Sequence, residues 1–102
     1  MKTILHTVNK SPFDDGTLRT CLKFARQGSA VLLIEDGVYA AARDTAVSKQ
    51  VQEAMKSTPI YALRSDVEAR GMQTRVMDGV HLVDYEEFVD LVTQHNAVQS
   101  WL

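Results

Sequence analysis

Residues 30–34, Ala-Val-Leu-Leu-Ile, form an unbroken apolar run of strand length that is followed by Asp36-Gly37. A strand with apolar side chains on both sides has to be covered on both faces, which happens mainly in parallel sheets flanked by helices. This run therefore constrains the fold more than any other segment, because it calls for a strand buried between two helical layers.

The rest of the chain alternates between strand-like and helix-like segments. Strands are predicted at residues 3–8, 30–34, 59–63 and 80–83, with a further short one at 75–77. Helices are predicted at residues 17–27, in two pieces within 38–56 broken near Asp44-Thr45, at 65–71 and at 84–95. Such alternation predicts a three-layer α/β/α sandwich around a mostly parallel sheet of about four to five strands.

Short polar motifs predict where the helices begin and end. Thr17 can cap the first helix, and Gly28 stands where a left-handed residue would follow its last turn. The tetrads Ser-Asp-Val-Glu at 65–68 and Asp-Tyr-Glu-Glu at 84–87 both have the spacing of a capping box. We therefore expect both later helices to begin at a capped residue.

Length, charge and cysteine content exclude several classes of protein. The chain has 102 residues, a net charge of −2 and one cysteine, so we expect a single domain over residues 1–102. The charge gives no basis for direct nucleic-acid binding, and a lone cysteine argues against a secreted disulfide scaffold. We see no signal peptide and no apolar stretch of the roughly 18 residues that a membrane span needs. A cytoplasmic location is expected.

In parallel sheets, ligand sites usually lie beyond the carboxyl ends of the strands. Here those ends carry residues 6–10, 35–37, 64–66 and 84–85. The three histidines lack metal-ligand spacing, and the sequence has no Cys-x-x-Cys pair and no phosphate-binding glycine loop. We therefore expect neither a metal nor an organic cofactor.

The single thiol, Cys21, has two possible roles. It lies on or beside the inward stripe of Leu18, Leu22 and Ala25 in the first predicted helix, so it can be a buried and inert side chain. A reactive thiol would need to ionise at neutral pH, and this helix position supplies only a weak activating field. His6, at the end of the first predicted strand, is either a half-buried, hydrogen-bonded imidazole or a group that supports a reacting sulfur.

The C-terminus is unusually apolar for a chain end, because it finishes in Trp101 and Leu102. Two explanations remain open from the residues alone. The tail folds back over the edge of its own core, or it anchors the chain in a subunit interface, where aromatic side chains are enriched.

Segments along almost the whole chain resemble the DsrH/TusB family, in the same order and at similar spacing. They are Leu-His-Thr-Val-Asn-Lys-Ser-Pro-Phe at 5–13, Leu-Leu-Ile-Glu-Asp-Gly-Val-Tyr-Ala-Ala at 32–41, Ile-Tyr-Ala-Leu at 60–63 followed by 66–71, Val-Asp-Tyr at 83–85 with Phe88-Val89, and Gln-Ser-Trp at 99–101. The resemblance implies a DsrE/DsrF/DsrH-like α/β fold.

The resemblance also implies a subunit of a sulfur-relay (sulfurtransferase) complex, which passes persulfide sulfur between protein cysteines. The implied partners are two homologous subunits, DsrE/TusD-like and DsrF/TusC-like, in a heterohexamer with two copies of each subunit. A DsrC/TusE-like protein would donate or accept the sulfur. The main reactive cysteine of such a complex is carried by the DsrE/TusD-like subunit.

The branch of the family is suggested by the thiol. Cys21 matches a cysteine in the first helix of the DsrH branch, which TusB members commonly lack. This favours a DsrEFH-type complex for intracellular sulfur oxidation, with Cys21 as candidate persulfide carrier, His6 in support, and Trp101 and Leu102 as candidate interface residues.

Three alternatives stay open. The chain is a TusB-type subunit in 2-thiolation of the tRNA wobble uridine, a purely structural subunit of the same kind of complex, or a free-standing domain that binds a small molecule. Whether the chain is itself an enzyme also stays open.

Overall fold

The computed structural model describes residues 3–14, 16–25 and 27–102, and in this part of the chain five strands form one parallel sheet. The strands are β1 (Ile4–Val8), β2 (Ala30–Leu33), β3 (Ile60–Leu63), β4 (His81–Val83) and β5 (Ala97–Trp101). Their order across the sheet is β4-β3-β2-β1-β5. The predicted α/β fold around a mostly parallel sheet is confirmed.

Helices connect the strands. They are α1 (Thr17–Phe24), a 3-10 helix (Glu35–Ala41), α2 (Ser48–Met55), α3 (Arg64–Ala69) and α4 (Tyr85–Gln94). None of the helices in the described residues is long and apolar enough to cross a membrane.

Two apolar clusters lie on opposite faces of the sheet and give the fold its three layers. The first packs α1, α2, α3 and the 3-10 helix onto the sheet through side chains such as Val38, Val51 and Val8. The second packs α4 onto the other face, through a cluster that includes Leu91 and Leu5. Successive side chains of a strand point to opposite faces, and β1 therefore supplies Leu5 to one cluster and Val8 to the other.

The middle strand β2 is buried at all four positions, as its apolar run predicted. Directly after β2, the backbone stays close to the end of β1, because Ile34 N donates a hydrogen bond to the carbonyl oxygen of Val8 at 3.0 Å. A Cβ atom at Gly37 would lie 2.0 Å from that same oxygen, so only glycine fits there. This contact fixes the start of the 3-10 helix against the end of β1.

The first helix is shorter than predicted. It ends at Phe24 rather than residue 27, and its N-cap residue is Gly16 rather than Thr17. Gly28 does adopt the predicted left-handed conformation, with φ 87°, but it lies three residues beyond the C-cap residue Ala25 rather than directly after the helix. Asp15 and Arg26, which belong to the predicted loop and helix, lie outside the described residues.

The region between β2 and β3 contains two helical pieces, as predicted. The break includes Asp44, a non-glycine residue in the left-handed region with φ 58°. The short strand predicted at residues 75–77 is wrong. There the backbone forms only an isolated antiparallel bridge between Val76 and Ala42.

The two predicted capping boxes have different outcomes. At α4 the box is confirmed, because Asp84 Oδ1 accepts from Glu87 N at 2.8 Å and Glu87 Oε1 accepts from Asp84 N at 3.1 Å. At α3 the prediction is wrong. That helix begins at Arg64, directly after β3, with Leu63 in the N-cap position and no side-chain cap hydrogen bond.

The apolar C-terminal segment forms β5, the edge strand beside β1. Its register pairs Ile4 with Ala97 and Val8 with Trp101. Asn96 and Thr3, the residues just before the two strands, are also joined, because Asn96 Oδ1 accepts a hydrogen bond from Thr3 N at 2.9 Å. The tail thus adds an edge strand to the sheet of its own chain.

Candidate functional site

Cys21 lies on the inward face of α1, three residues before the last residue, Phe24, and is completely buried. Its exposed fraction is 0%, and it belongs to the apolar cluster that includes Leu18 and Val8. Burial raises the pKa of the Cys21 thiol to about 12. Arg19 and Lys23 are exposed on the same helix and do not offset that burial. The thiol is therefore protonated at neutral pH in this conformation.

His6 is also buried, on the face of the sheet that α1 covers. Its Nδ1 atom accepts a hydrogen bond from Trp101 Nε1 at 3.0 Å, which assigns the ring proton of the neutral imidazole to Nε2. Within the described residues, His6 Nε2 has no hydrogen-bond partner. Burial and the nearby charge of His95 both lower the pKa of His6 below its ordinary value of 6.5. His6 is thus a neutral, fixed group.

Trp101 connects the C-terminal strand to α1. Besides its bond to His6, its ring stacks on Phe24 with centroids 6.2 Å apart. A shallow groove of about 310 Å³ runs between α1 and β5, lined by Ile4, His6, Phe24, Gln99 and Trp101. Leu102 comes directly after Trp101 in the chain and is 82% exposed.

Of the four residues singled out from the sequence, the structure joins two directly. His6 and Trp101 share a hydrogen bond, and Trp101 packs against the apolar cluster that contains Cys21. Leu102 extends beyond this group into solvent. The pairing of His6 with Trp101 spans 95 positions of the chain, and no local motif signals it.

The carboxyl ends of the strands hold a different group of polar side chains. Arg70 Nη2 forms an ion pair with Asp36 at 2.9 Å, and Asp66 Oδ2 accepts from Glu35 N at 2.7 Å. These contacts join α3 to the 3-10 helix, so they stabilise the loops at this edge. Arg70 was not singled out from the sequence, and only its spacing of four from Asp66 gives a signal.

Asn9 also lies at this edge, directly after β1, and its Oδ1 atom is buried without a hydrogen-bond partner in the described residues. Among all the residues that the structure describes, no group of three or more His, Cys, Asp or Glu side chains is placed to hold a metal ion.

The fold and the site together define a small parallel-sheet α/β protein with one buried thiol and an aromatic cluster on its edge strand. A sequence model described as "DsrH like protein" matches residues 10–98. The chain belongs to this DsrH/TusB family, whose members are subunits of sulfur-relay complexes.

Named relatives support the same assignment. Protein TusB from Pectobacterium parmentieri is 37% identical over 99 residues, covering 96% of this chain and all of the relative. Protein TusB from Escherichia coli O81 is 33% identical over 102 residues, with the same coverage.

Solved structures show the same fold. The ychN protein from E. coli matches with a TM-score of 0.84 at 20% identity, covering 98% of this chain and 99% of the other. The MTH1491 protein from Methanobacterium thermoautotrophicum matches with a TM-score of 0.71 at 18% identity, with the same coverage.

Proposed function

We propose that this chain is a TusB-type subunit of a heterohexameric sulfur-relay complex and that its own role is structural. The complex contains three kinds of subunit, with two copies of each: this chain, a TusD-like subunit and a TusC-like subunit. It exchanges sulfur with a TusE-like carrier. Its product sulfur goes to 2-thiolation of the tRNA wobble uridine. In this proposal residues 1–102 act as one domain, in the cytoplasm.

The observation that carries the structural role is the burial of Cys21. Persulfide transfer requires a thiolate that attacks the outer sulfur of a persulfide, so that the bond between the two sulfurs breaks and the donor cysteine leaves as a thiolate. The attacking sulfur has to be both ionised and accessible. Cys21 is 0% exposed, and its pKa is raised to about 12. These properties suit a packing residue better than a sulfur carrier.

The relatives support the tRNA-thiolation branch over sulfur oxidation. Several proteins named TusB are 32–37% identical to this chain over nearly its full length. The DsrEFH-type hypothesis, with Cys21 as carrier and His6 in support, rests on the presence of a cysteine in the first helix. It stays a prediction, and so does an interface role for Trp101 and Leu102.

Mass spectrometry after treatment with a persulfide donor tests the proposal. The chain is loaded alone and together with the TusD-like, TusC-like and TusE-like proteins of its own organism. We expect the four proteins to assemble and the sulfur adduct of about 32 Da to appear on the TusD-like subunit but not on Cys21. Relay from the TusD-like subunit to the TusE-like protein should be unchanged by Cys21→Ala.

Three results would count against parts of this proposal. An adduct on Cys21 within the assembled complex, with relay lost in Cys21→Ala, would establish the carrier role and support the DsrEFH-type branch. An adduct without any loss of relay would make Cys21 accessible but dispensable. Failure of the chain to assemble with the other subunits would remove the sulfur-relay proposal itself.

A further inference from the structure

Charge is strongly segregated along this chain. All eleven Lys and Arg residues lie at or before position 75, whereas five of the thirteen Asp and Glu residues lie after it. Residues 76–102 therefore carry a net charge of −5 with neutral histidines. Four of these five carboxylates are at residues 84–90, at the beginning and middle of α4.

The same helix exposes apolar side chains. Tyr85, Val89 and Val92 are 65%, 57% and 37% exposed, and their spacing of i, i+4 and i+7 aligns them in one stripe. This stripe runs beside the buried side of the helix, where Leu91 and Phe88 contact the sheet. A surface helix normally has one apolar stripe, so the second one is available for another protein.

Two carboxylates that border the stripe have no bonding partner among the described residues. Asp84 and Glu87 are used by the capping box, but within the described residues the side chains of Glu86 and Asp90 have no ion-pair or hydrogen-bond partner. Together with Tyr85 and Val89 they line an open cleft on the outer side of α4. The surface is thus apolar with an acidic border.

We propose that this α4 surface, Tyr85, Glu86, Val89, Asp90 and Val92, docks another protein through an apolar patch bordered by Lys or Arg. A second copy using its own α4 would place carboxylates against carboxylates, which opposes a symmetric homodimer. The occupant is therefore a different chain. Resting on the proposed function, we assign it to one of the other subunits of the relay complex.

Charge neutralisation tests the surface. The variant Glu86→Gln with Asp90→Asn is compared with Asp44→Asn with Glu68→Gln, which removes the same two charge types from exposed positions outside α4. Both are co-purified with the TusD-like and TusC-like subunits, and affinity is measured at low and high salt. We expect the α4 variant to bind about tenfold more weakly at low salt, with the control unchanged. Val89→Asp should weaken binding at both salt concentrations. Far-ultraviolet circular dichroism verifies that each variant is folded.

Equal affinity of wild type, α4 variants and control would overturn the inference even if the complex forms. If the wild-type chain does not bind these subunits, the proposed function fails, and the surface is then judged by photo-crosslinking in cells from a benzoyl-phenylalanine at position 89. A cross-link to a lysine- or arginine-bordered site of a different protein, lost in the charge-neutralised background, would sustain the inference. A cross-link only to another copy of this chain, or one indifferent to charge, would overturn it.

Discussion

At the scale of single residues, the thiol of Cys21 is the group whose chemistry the fold changes most. With its pKa raised to about 12, only about one thiol in 10⁵ is ionised at pH 7. We predict that a soluble disulfide reagent labels Cys21 in the folded chain at least about 100-fold more slowly than in denaturant, because labelling requires opening of the structure. Stopped-flow absorbance of the released thiolate measures both rates.

A designed comparison separates burial from intrinsic reactivity. A cysteine placed at the exposed position Thr20, in the Cys21→Ala background, should react at nearly the same rate in folded and denatured protein. Rapid labelling of native Cys21 would show that α1 opens readily, and it would reopen the role of carrier.

His6 gives the folded state a dependence on pH. The Nδ1 atom of neutral His6 accepts a hydrogen bond from Trp101 Nε1, whereas protonated His6 would face that N–H group with a second donor. Since its pKa is lowered in the folded chain, the unfolded chain binds the proton first as pH falls. We predict that the contribution of His6 to the free energy of unfolding is fully present above pH 6.5, its ordinary pKa. The contribution is lost as the pH falls below that value and through the lowered pKa of the folded chain.

Urea unfolding at about pH 7.5 and about pH 5.5 measures this effect. His6→Gln keeps a hydrogen-bond acceptor but cannot titrate, so it should show a smaller loss of stability between the two pH values than wild type. His81→Gln, at an exposed histidine, should behave like wild type. Equal losses in wild type and His6→Gln would contradict the prediction.

At the scale of elements, the two tetrads with capping-box spacing show what a local pattern determines and what it does not. Asp84 follows β4 directly and caps α4, whereas Ser65 falls inside α3 because that helix begins at Arg64. We predict that Asp84→Ala lowers the free energy of unfolding by about 1 kcal/mol. Ser65→Ala should change it by less than about 0.5 kcal/mol. Chemical denaturation compares them, and equal costs would contradict the assignment of the caps.

The edge strand β5 depends on one side chain more than on the others. Trp101 donates to His6 and stacks on Phe24, whereas the neighbouring Leu102 is 82% exposed. We predict that Trp101→Ala costs about 2–4 kcal/mol of stability, and that Leu102→Ala costs less than about 0.5 kcal/mol. Thermal unfolding followed by circular dichroism measures both, and a mild effect of Trp101→Ala would show that backbone pairing alone holds β5.

At the scale of the whole molecule, the architecture followed from the sequence while the long-range contacts did not. The buried run at residues 30–34 and the alternation around it were sufficient for a parallel sheet with two helical layers. The contact of His6 with Trp101 depends on β5 pairing with β1 across the length of the chain. No local spacing encodes that pairing, and a polar-apolar tail of this kind is compatible with either a strand or an interface.

The central strand β2 is fully enclosed, whereas helix α4 is attached to the sheet by few side chains, and this difference predicts an uneven stability. Every residue of the central strand β2 is buried, and β2 is paired on both sides. Helix α4 covers the other face mainly through Leu91 and Phe88, and its remaining residues are exposed. We predict that amides of α4 exchange with solvent through partial opening, while those of β2 exchange only through global unfolding.

Native-state hydrogen exchange with increasing denaturant measures this difference between α4 and β2. The α4 amides should show a low opening free energy that depends weakly on denaturant, and the β2 amides should match the global value. Equal opening free energies would mean that this face is held by more than two side chains. An increase confined to α4 in the assembled complex would then locate the docked partner on this helix, because binding stabilises the closed state of the element that it covers.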